Sequence, residues 1–419
     1  MAGGCRIPTF PGSDVPVPHF QPTDLDQLEA AIADAGADRR RLELLGNGTK
    51  RGLGKPVEAD ALLDLSRLHG VTLYEPEELV LTAGAGTPLH EIEALLAQRG
   101  QMLAFEPMDL GPLYGAPPRQ ATIGGVVACN LAGPRRPKAG AARDWFLGFT
   151  AVSGRGERFK AGSRVMKNVT GYDLPKLLAG SHGTLAALAE VTLRVHPAPD
   201  ETLTLALAGL DVDRAGQAMA VALGCAHEVS GAAYLPAQLT QLSAVERLAG
   251  ASATLFRLEG ISASVAYRAQ ALEDLLREMQ VPVVRLEADI SARLWREVRD
   301  LEFLQSERDA VIWRLAVPPA LGAQVAQRIQ RQLSSARFYL DWGGGLVWVA
   351  TPTAPDAHAA AMRRAVHETG GHATLMRAPD DLRRLVSVFQ PEAGPLAALS
   401  ERVRAGFDPL GILNPGRMG

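Results

Sequence analysis

Three glycine-rich segments, at residues 45–54, 83–88 and 121–136, are the part of this sequence best suited to chemistry. Consecutive backbone N–H groups in such turns can replace the water around a dinucleotide pyrophosphate, because glycine reaches positive φ and permits close approach. The first segment contains Gly46-Asn-Gly-Thr49 after an apolar run, and the second contains Gly84-Ala-Gly-Thr87 before a helix, whose N-terminus attracts anions. The spacing predicts a site for a phosphate-containing dinucleotide.

Two common nucleotide-binding motifs do not fit these loops. A Rossmann motif would need glycine where the first loop has Arg51 and the second has Leu89. No Gly-Lys-Ser or Gly-Lys-Thr is present for a P-loop. These loops are therefore not of the nicotinamide or nucleoside-triphosphate type. Taken singly, residues 46–49 could be an ordinary turn between strands, and Gly124-Gly125 could be a bulge or a close packing contact.

Composition and charge favour a soluble enzyme of two or three domains. The chain has 419 residues and a formal net charge of −3, with no basic run typical of a nucleic-acid-binding surface. Charges interrupt every apolar run before the ~18 residues that a membrane helix needs. The N-terminus lacks a signal peptide, and Cys5, Cys129 and Cys225 follow no metal-ligand spacing. These features predict a cytoplasmic protein without a structural metal.

The elements that must position the loops change in character near residue 200. Residues 1–200 alternate short apolar strands, glycine loops and single helices, which predicts an α+β domain. Residues 201–390 alternate strands and helices, with a hairpin around Trp342-Gly-Gly-Gly345, and predict a ferredoxin-like α/β domain. Residues 391–419 contain an amphipathic helix and a terminal segment. No internal repeat is visible in the sequence.

Local signals predict where three helices begin. Thr23 is a candidate N-cap for the first helix, and Thr87 is a candidate N-cap for a helix with Pro88 at its first position. Gly100 would end that second helix. Asp173 could cap a further helix in the middle of the chain.

Two downstream segments complete a characteristic order. Residues 165–174 read Val-Met-Lys-Asn-Val-Thr-Gly-Tyr-Asp-Leu, and residues 180–194 begin Gly-Ser-His-Gly-Thr-Leu. Together with the three glycine-rich segments, this order resembles the FAD-binding domain of the vanillyl-alcohol-oxidase type, also called the PCMH type.

Further segments narrow the resemblance. Residues 134–137 (Pro-Arg-Arg-Pro), 167–168, 341–344, 370–374 (Gly-Gly-His-Ala-Thr) and 413–418 are similar to the FAD-binding subunit of glycolate oxidase (glycolate dehydrogenase). The resemblance implies a PCMH-type FAD-binding domain of two α+β subdomains, a cap domain, and a C-terminal segment that returns to the FAD domain.

The resemblance also implies the cofactor and its binding residues. Covalent flavin members carry a histidine in the first loop, and this loop has none, so FAD is expected to bind noncovalently. The residues implied to bind FAD are Gly46, Asn47, Gly48, Thr49, Lys50, Gly86, Pro107, Thr122, Ile123, Gly124, Gly125, Asn130, Gly133, Gly183, Val191 and Asn414.

Oxidation of a 2-hydroxy acid requires a base for the hydroxyl proton and an arginine for the carboxylate. His372 is the best candidate base, with Arg377 as the carboxylate ligand, although a structural histidine on a cap loop is the alternative interpretation. His182 is expected near the phosphate or adenine end of the cofactor. Arg135 and Arg136 could bind a phosphate, a substrate carboxylate or a partner subunit, or lie in a solvated loop. The His-rich segment with which related 2-hydroxy-acid dehydrogenases order a metal or the substrate is missing, and no metal site is predicted.

The resemblance implies an FAD-binding subunit of a glycolate oxidase complex, with a second FAD subunit and an iron–sulfur subunit as partners. Such a subunit would oxidise glycolate to glyoxylate, or relay electrons from a catalytic flavin subunit to the iron–sulfur subunit. A stand-alone FAD-dependent alcohol or hydroxy-acid oxidase and a noncatalytic assembly subunit are the alternatives. The predicted location is the cytoplasm, with attachment to the inner face of the membrane through partners left open.

Overall fold

Helices and strands are mixed throughout the chain, as seen in a computed structural model that describes residues 17–163 and 171–419. Cys5 and the Lys167-Asn168 pair, both noted in the sequence, lie outside the described residues. Within the described ranges, no helix is long and apolar enough to cross a membrane. Across the same part of the chain, no cluster of three or more His, Cys, Asp or Glu side chains is placed to hold a metal ion.

Strands before residue 200 form three sheets in the described part of the chain. In chain order they are β1 (His19–Phe20), β2 (Leu42–Leu45), β3 (Ala61–Asp64), β4 (Val71–Glu75), β5 (Val80–Gly84), β6 (Gln101–Met102), β7 (Phe146–Ser153), β8 (Arg158–Gly162), β9 (Ala186–Arg194) and β10 (His196–Pro197). A parallel sheet has the order β1-β3-β2, an antiparallel sheet has the order β4-β5-β9-β7-β8, and β6 pairs with β10. One apolar cluster connects the parallel sheet with the five-stranded antiparallel sheet. It contains Leu42 of β2 and Val152 of β7, together with Leu28 and Ile32 from the helix that follows β1.

Short and medium-length helices accompany these strands. They are α1 (Leu25–Ala37), α2 (Leu89–Ala97), α3 (Ile123–Ala128), α4 (Arg136–Ala139), α5 (Ala142–Trp145) and α6 (Leu174–Leu178). Asp24, one residue after the predicted Thr23, caps α1, because its carboxylate accepts a hydrogen bond from the Gln27 N–H at 2.8 Å. Asp173 caps α6 as the sequence suggested. Thr87 does not cap α2, because its hydroxyl donates to the Gly84 carbonyl at 2.7 Å and closes the turn before the helix.

Strands after residue 200 form a single antiparallel sheet. They are β11 (Glu201–Ala208), β12 (Gly231–Leu235), β13 (Ala253–Gly260), β14 (Val283–Glu287), β15 (Val311–Ala316), β16 (Arg337–Asp341), β17 (Leu346–Thr351) and β18 (His372–Arg377). Their order across the sheet is β14-β11-β13-β12-β16-β17-β15-β18. The predicted hairpin around Trp342 is present as the β16–β17 pair.

This sheet consists of two ferredoxin-like units, a repeat of topology that was not visible in the sequence. The later helices are α7 (Val212–Gly224), α8 (Ala237–Thr240), α9 (Ser262–Leu276), α10 (Ala288–Arg299), α11 (Glu302–Gln305), α12 (Gly322–Gln332), α13 (Ala359–His367), α14 (Asp380–Leu385) and α15 (Gly394–Phe407). The first unit is β11-α7-β12-β13-α9-β14 and the second is β15-α12-β16-β17-α13-β18, and both have the ferredoxin-like strand order. They join edge to edge where Tyr234 pairs with Leu340.

The two faces of the eight-stranded sheet have different neighbours. Helices α7, α9, α12 and α13 cover one face, where Phe256 and Trp313 lie in an apolar cluster. The opposite face carries Tyr339 and Trp348, which belong to an apolar cluster that this sheet shares with the first 200 residues. Alternation along each strand sends successive side chains to opposite faces, so one strand contributes to both cores.

The last residues of the chain contact its first strands. The Leu42 N–H donates to the Ile412 carbonyl at 2.7 Å, and the Asn414 N–H donates to the Leu42 carbonyl at 2.9 Å. Helix α15, which precedes this segment, has no buried residue. The terminal segment is therefore held by backbone pairing beside the first glycine-rich loop.

Candidate functional site

The first glycine-rich loop leaves β2 and turns directly against the third glycine-rich segment. Gly48 has a φ of +70°, a conformation that glycine adopts without strain. A Cβ atom on Gly46 would lie 2.5 Å from Oγ1 of Thr122, so only glycine permits this approach. The Asn47 side chain donates to the Gln120 carbonyl at 3.0 Å and ties the two segments together.

Backbone N–H groups of this loop are available to a ligand. Those of Asn47, Gly48 and Thr49 donate to no acceptor within the described residues. Thr49 is buried and Gly48 half-buried, so their N–H groups require an acceptor, whereas Asn47 is exposed. Consecutive free donors in such a turn can bind an anion. The loop is therefore built to receive negatively charged oxygen atoms.

A cleft opens between the first loop, helix α3 and the C-terminal segment. It contains about 790 Å³ of empty space, part of it open to solvent. The residues that line it are Leu44, Leu45, Gly46, Asn47, Gly48, Thr49, Lys50, Arg51, Leu53, Leu65, Ala85, Thr122, Gly124, Gly125, Ala128, Cys129, His182, Gly183, Ala186, Leu188, Asn414 and Arg417. An apolar lining with a few placed polar groups is typical of a cofactor site.

Lys50 brings a positive charge into this cleft. Its ammonium donates to Oγ1 of Thr49 at 3.2 Å, and no carboxylate among the described residues lies within ion-pair distance. Burial lowers the pKa of Lys50, and Cys129 and Asp109 oppose this shift. Because a desolvated ammonium without a counter-ion is unfavourable, Lys50 and the free N–H groups together fit the pyrophosphate of a dinucleotide such as FAD.

The C-terminal segment closes one end of the cleft. The Asn414 side chain accepts from the Leu44 N–H at 2.8 Å and donates to the His182 carbonyl at 2.8 Å. A Cβ atom on Gly183 would lie 2.8 Å from Nδ2 of Asn414. Burial, together with the nearby Arg417, lowers the pKa of His182 to about 4, so this imidazole is neutral at pH 7.

A buried network of charges lies where the third glycine-rich segment meets the eight-stranded sheet. Glu106 accepts two hydrogen bonds from Arg257, at 2.8 and 3.0 Å, and Glu259 accepts from Arg135. Burial alone would raise the pKa of Glu106, but Arg135 and Arg257 hold it below its usual range. The side chain of Trp342 donates to the Gly133 carbonyl at 3.0 Å beside this network. These contacts fix the third segment against the sheet.

The structure does not bring His372 and Arg377 together. They begin and end β18, which places them about 16 Å apart along the strand. The Arg377 guanidinium donates to the backbone carbonyls of Ala310, Leu113, Leu304 and Glu307. Its N–H groups are thus engaged inside the protein, which disfavours the predicted contact with a substrate carboxylate.

Ten of the sixteen residues implied to bind FAD line the cleft: Gly46, Asn47, Gly48, Thr49, Lys50, Thr122, Gly124, Gly125, Gly183 and Asn414. Six lie elsewhere: Gly86, Pro107, Ile123, Asn130, Gly133 and Val191. Ile123 and Val191 are fully buried in the apolar core, because each faces inward from its helix or strand. Gly86 packs against backbone, since a Cβ atom there would lie 2.2 Å from the Leu65 carbonyl oxygen.

Several residues that line the cleft were not predicted from the sequence. Cys129 lines the cleft, whereas the predicted Asn130, which follows it directly, does not. Both residues lie at the C-terminal end of helix α3, where the course of the backbone determines which side chain faces the cleft. Arg417 lies in the terminal motif that the sequence indicated, and it contacts Glu43 at 3.1 Å. The apolar residues Leu44 and Leu188 come from strands that carry no local signal of ligand contact.

Comparisons with known proteins find relatives along almost the whole chain. A family model described as FAD binding domain matches residues 18–162. The chain is 34% identical over 394 residues to glycolate oxidase subunit GlcE of Escherichia coli (strain K12), covering 94% of this chain and 96% of that relative. It is 23% identical over 447 residues to glycolate oxidase subunit GlcD of Bacillus subtilis (strain 168), covering 95% and 87%.

A solved structure shares the fold at low identity. The p-cresol methylhydroxylase structure with substrate bound gives a TM-score of 0.73 at 12% identity, covering 96% of this chain and 88% of that one. Together with the family model, it confirms the predicted PCMH-type fold class. The family model and the similarity to GlcE confirm FAD as the cofactor.

Proposed function

The chain belongs to the family of glycolate oxidase subunit GlcE, and from this membership we propose that it is the FAD-binding subunit of a complex that oxidises glycolate to glyoxylate. It is an FAD-dependent oxidoreductase that acts on CH–OH groups. A short 2-hydroxy acid is the substrate class, and FAD is held without a covalent bond.

The observation that carries the proposal is the anion-binding end of the cleft. Within the described chain, three residues with free backbone N–H groups line the same cleft as Lys50, whose ammonium has no carboxylate partner. A Cβ atom on Gly125 would lie 3.3 Å from Nζ of Lys50. A desolvated charge without a counter-ion costs free energy, so it would not be maintained in a vestigial site that no longer binds its ligand. This supports a subunit that binds its flavin rather than a noncatalytic assembly subunit.

FAD, when bound, supplies the acceptor for the hydride that leaves the α-carbon of the substrate. The protein must take the hydroxyl proton, and His372 is the proposed base. Burial and the charges of Arg314 and Arg136 lower the pKa of His372, so its imidazole is unprotonated at pH 7 and can accept a proton on nitrogen.

Partner subunits form the second part of the proposal. We expect a second FAD subunit and an iron–sulfur subunit, to which this chain passes electrons, in the cytoplasm or against the inner face of the membrane. Leu396 and Leu399 of α15 are about half exposed, and this unburied helix supports a contact with another chain. Relay of electrons from a catalytic flavin partner is the second candidate function.

The test is an anaerobic absorbance spectrum of the purified chain before and after glycolate is added. Bleaching of the flavin bands is expected if this chain oxidises glycolate by itself. Bleaching only when the partner subunits are present would assign the relay role. A flavin that stays oxidised in both samples would refute glycolate as the substrate.

A pair of histidine variants makes the test residue-specific. His372→Gln is expected to slow the bleaching about 10²–10⁴-fold, the usual contribution of a general base. His367→Gln is the matched control, because His367 lies nearby on α13 and is exposed. Equal rates in both variants would remove His372 from the mechanism.

A further inference from the structure

Two arginines from distant parts of the chain contact the same indole ring. The guanidinium carbons of Arg136 and Arg314 lie 4.7 and 5.0 Å from the ring centre of Trp342. Because both groups lie so close to one ring, they are at most about 10 Å apart. Arg136 precedes residue 200, whereas Arg314 belongs to β15 of the eight-stranded sheet. The pair therefore spans the seam between the two parts of the molecule.

Both arginines lack a carboxylate partner in the part of the chain that the structure describes. No Asp or Glu oxygen within residues 17–163 and 171–419 lies within ion-pair distance of Arg136 or Arg314. The nearest acidic influence is Asp144, which raises the pKa of Arg136 against the effect of burial. The adjacent Arg135 differs, because Glu106 and Glu259 both neutralise it.

The indole ring does not satisfy these guanidinium groups. A ring face attracts the flat face of a guanidinium, while the five N–H donors point outward in its plane. Burial lowers the pKa of Arg314 to about 10, with Arg136 adding to the shift. Both side chains remain partly in contact with solvent, so a small anion can reach their donors.

Sheet register places further polar groups beside Arg314. Arg314 pairs with Thr374 of β18, so both side chains lie on the face directed toward the first 200 residues. His372, two residues earlier on that strand, lies on the same face, about 7–8 Å from Arg314. A carboxylate held by the arginines would thus be within one short molecule's length of the imidazole.

We propose that Arg136 and Arg314, stacked on Trp342, bind the carboxylate of the 2-hydroxy-acid substrate across the seam. The inference rests on the proposed function, because it names the carboxylate ligands of that same site. It replaces Arg377, whose donors are engaged by backbone carbonyls. Planar guanidinium groups match the two oxygens of a carboxylate, and the adjacent hydroxyl is then directed toward His372.

The experiment measures binding rather than turnover. The flavin-loaded chain is titrated with oxalate, a carboxylate that cannot be oxidised as an alcohol, and with glycolamide, which lacks a carboxylate. Calorimetry gives the Kd, and the fluorescence of Trp342 and its neighbours gives an independent signal. Arg314→Met and Arg136→Met are each expected to weaken oxalate binding about 10- to 100-fold. Glycolamide is expected not to bind to any form.

A matched control and a folding control accompany these variants. Arg143→Met removes an exposed arginine near Arg136 and is expected to change the oxalate Kd less than about twofold. FAD content and Tm monitor integrity, and removal of the unpaired Arg314 charge is expected not to lower Tm. If Arg314→Met loses its flavin, oxalate binding is measured in Arg314→Lys instead, because this variant keeps the positive charge but loses the bidentate geometry.

Two outcomes overturn the inference. An oxalate Kd unchanged in both Arg136→Met and Arg314→Met would do so, and so would a loss of binding confined to Arg377→Met. The proposed function fails separately: if glycolate never bleaches the flavin but oxalate binding depends on both arginines, the anion site stands without the glycolate assignment.

Discussion

Lys50 offers a test in which cofactor affinity and protein stability should move in opposite directions. Its ammonium lies in the cleft, donates to Thr49 at 3.2 Å and has no carboxylate partner within the described part of the chain. We consider Lys50→Met, which keeps the length of the side chain and removes the charge. The wild-type charge is unfavourable in the empty cleft and favourable once a pyrophosphate is present.

The expected magnitudes follow from these contacts. A hydrogen bond to a charged group contributes about 1.5–3 kcal/mol, so loss of the Lys50 contact should weaken FAD binding about 10- to 150-fold. Without FAD, removal of a desolvated charge should stabilise the variant by about 1 kcal/mol, which raises Tm by about 2 °C.

The stability gain should depend on pH in a defined direction. Burial lowers the pKa of Lys50, so in the empty cleft the unfolded chain binds the proton more tightly than the folded chain. The penalty is fully present below the lowered pKa and disappears as the pH rises toward the ordinary lysine value of about 10.4. The Tm difference between the variant and the wild type should therefore shrink at high pH.

Calorimetric FAD titration and thermal unfolding of the flavin-free chain measure the two effects. Lys160→Met is the control, because Lys160 is exposed on β8, outside the cleft. An FAD affinity within twofold of wild type would contradict the assignment of Lys50 to the pyrophosphate. A lower Tm in the flavin-free variant would show that Lys50 stabilises the fold, which is incompatible with a desolvation penalty at this position.

Two further predictions concern stability. Burial and Arg417 lower the pKa of His182 to about 4 in the folded chain. As the pH falls from 6.5, the unfolded chain therefore takes up the proton first, and the folded state loses stability. Urea unfolding should show that the free energy of unfolding decreases by up to about 3 kcal/mol between pH 6.5 and 4. His182→Asn, which suits the φ of +52° at this position, should flatten that dependence, and an unchanged slope would assign it to other groups. Arg257→Met should destabilise the fold by about 3–5 kcal/mol, because Glu106 loses its two hydrogen bonds from Arg257. Adding Glu106→Gln should restore part of that loss in urea unfolding, and a double variant no more stable than Arg257→Met would contradict the charge argument.

The sequence by itself located the glycine-rich turns that line the cleft. Gly46 and Gly48 form one short turn, and the need for positive φ or close approach is a property of those few residues. The order of the five segments was enough to identify a PCMH-type fold and FAD. The hairpin at Trp342 and the cap at Asp173 were also local, and both were correctly located.

Local patterns do not show how segments that are distant in the sequence pack against each other. Gly86 does not line the cleft, and the Leu65 carbonyl occupies the space that a side chain would need there, so its contact with FAD stays a prediction. The two ferredoxin-like units share the order in which their strands and helices are connected, and this similarity leaves no matching residues in the sequence.

Only the tertiary structure showed which arginines lie together at the seam and which one is engaged by backbone carbonyls. Arg377 was predicted for its nearness to His372 along the chain, but a strand is extended, and its two ends lie about 16 Å apart. Arg136 and Arg314 are remote in sequence and meet at Trp342 because the eight-stranded sheet packs against the first domain. Proximity across strands and domains depends on strand register and on packing, and the spacing of residues along the sequence reveals neither.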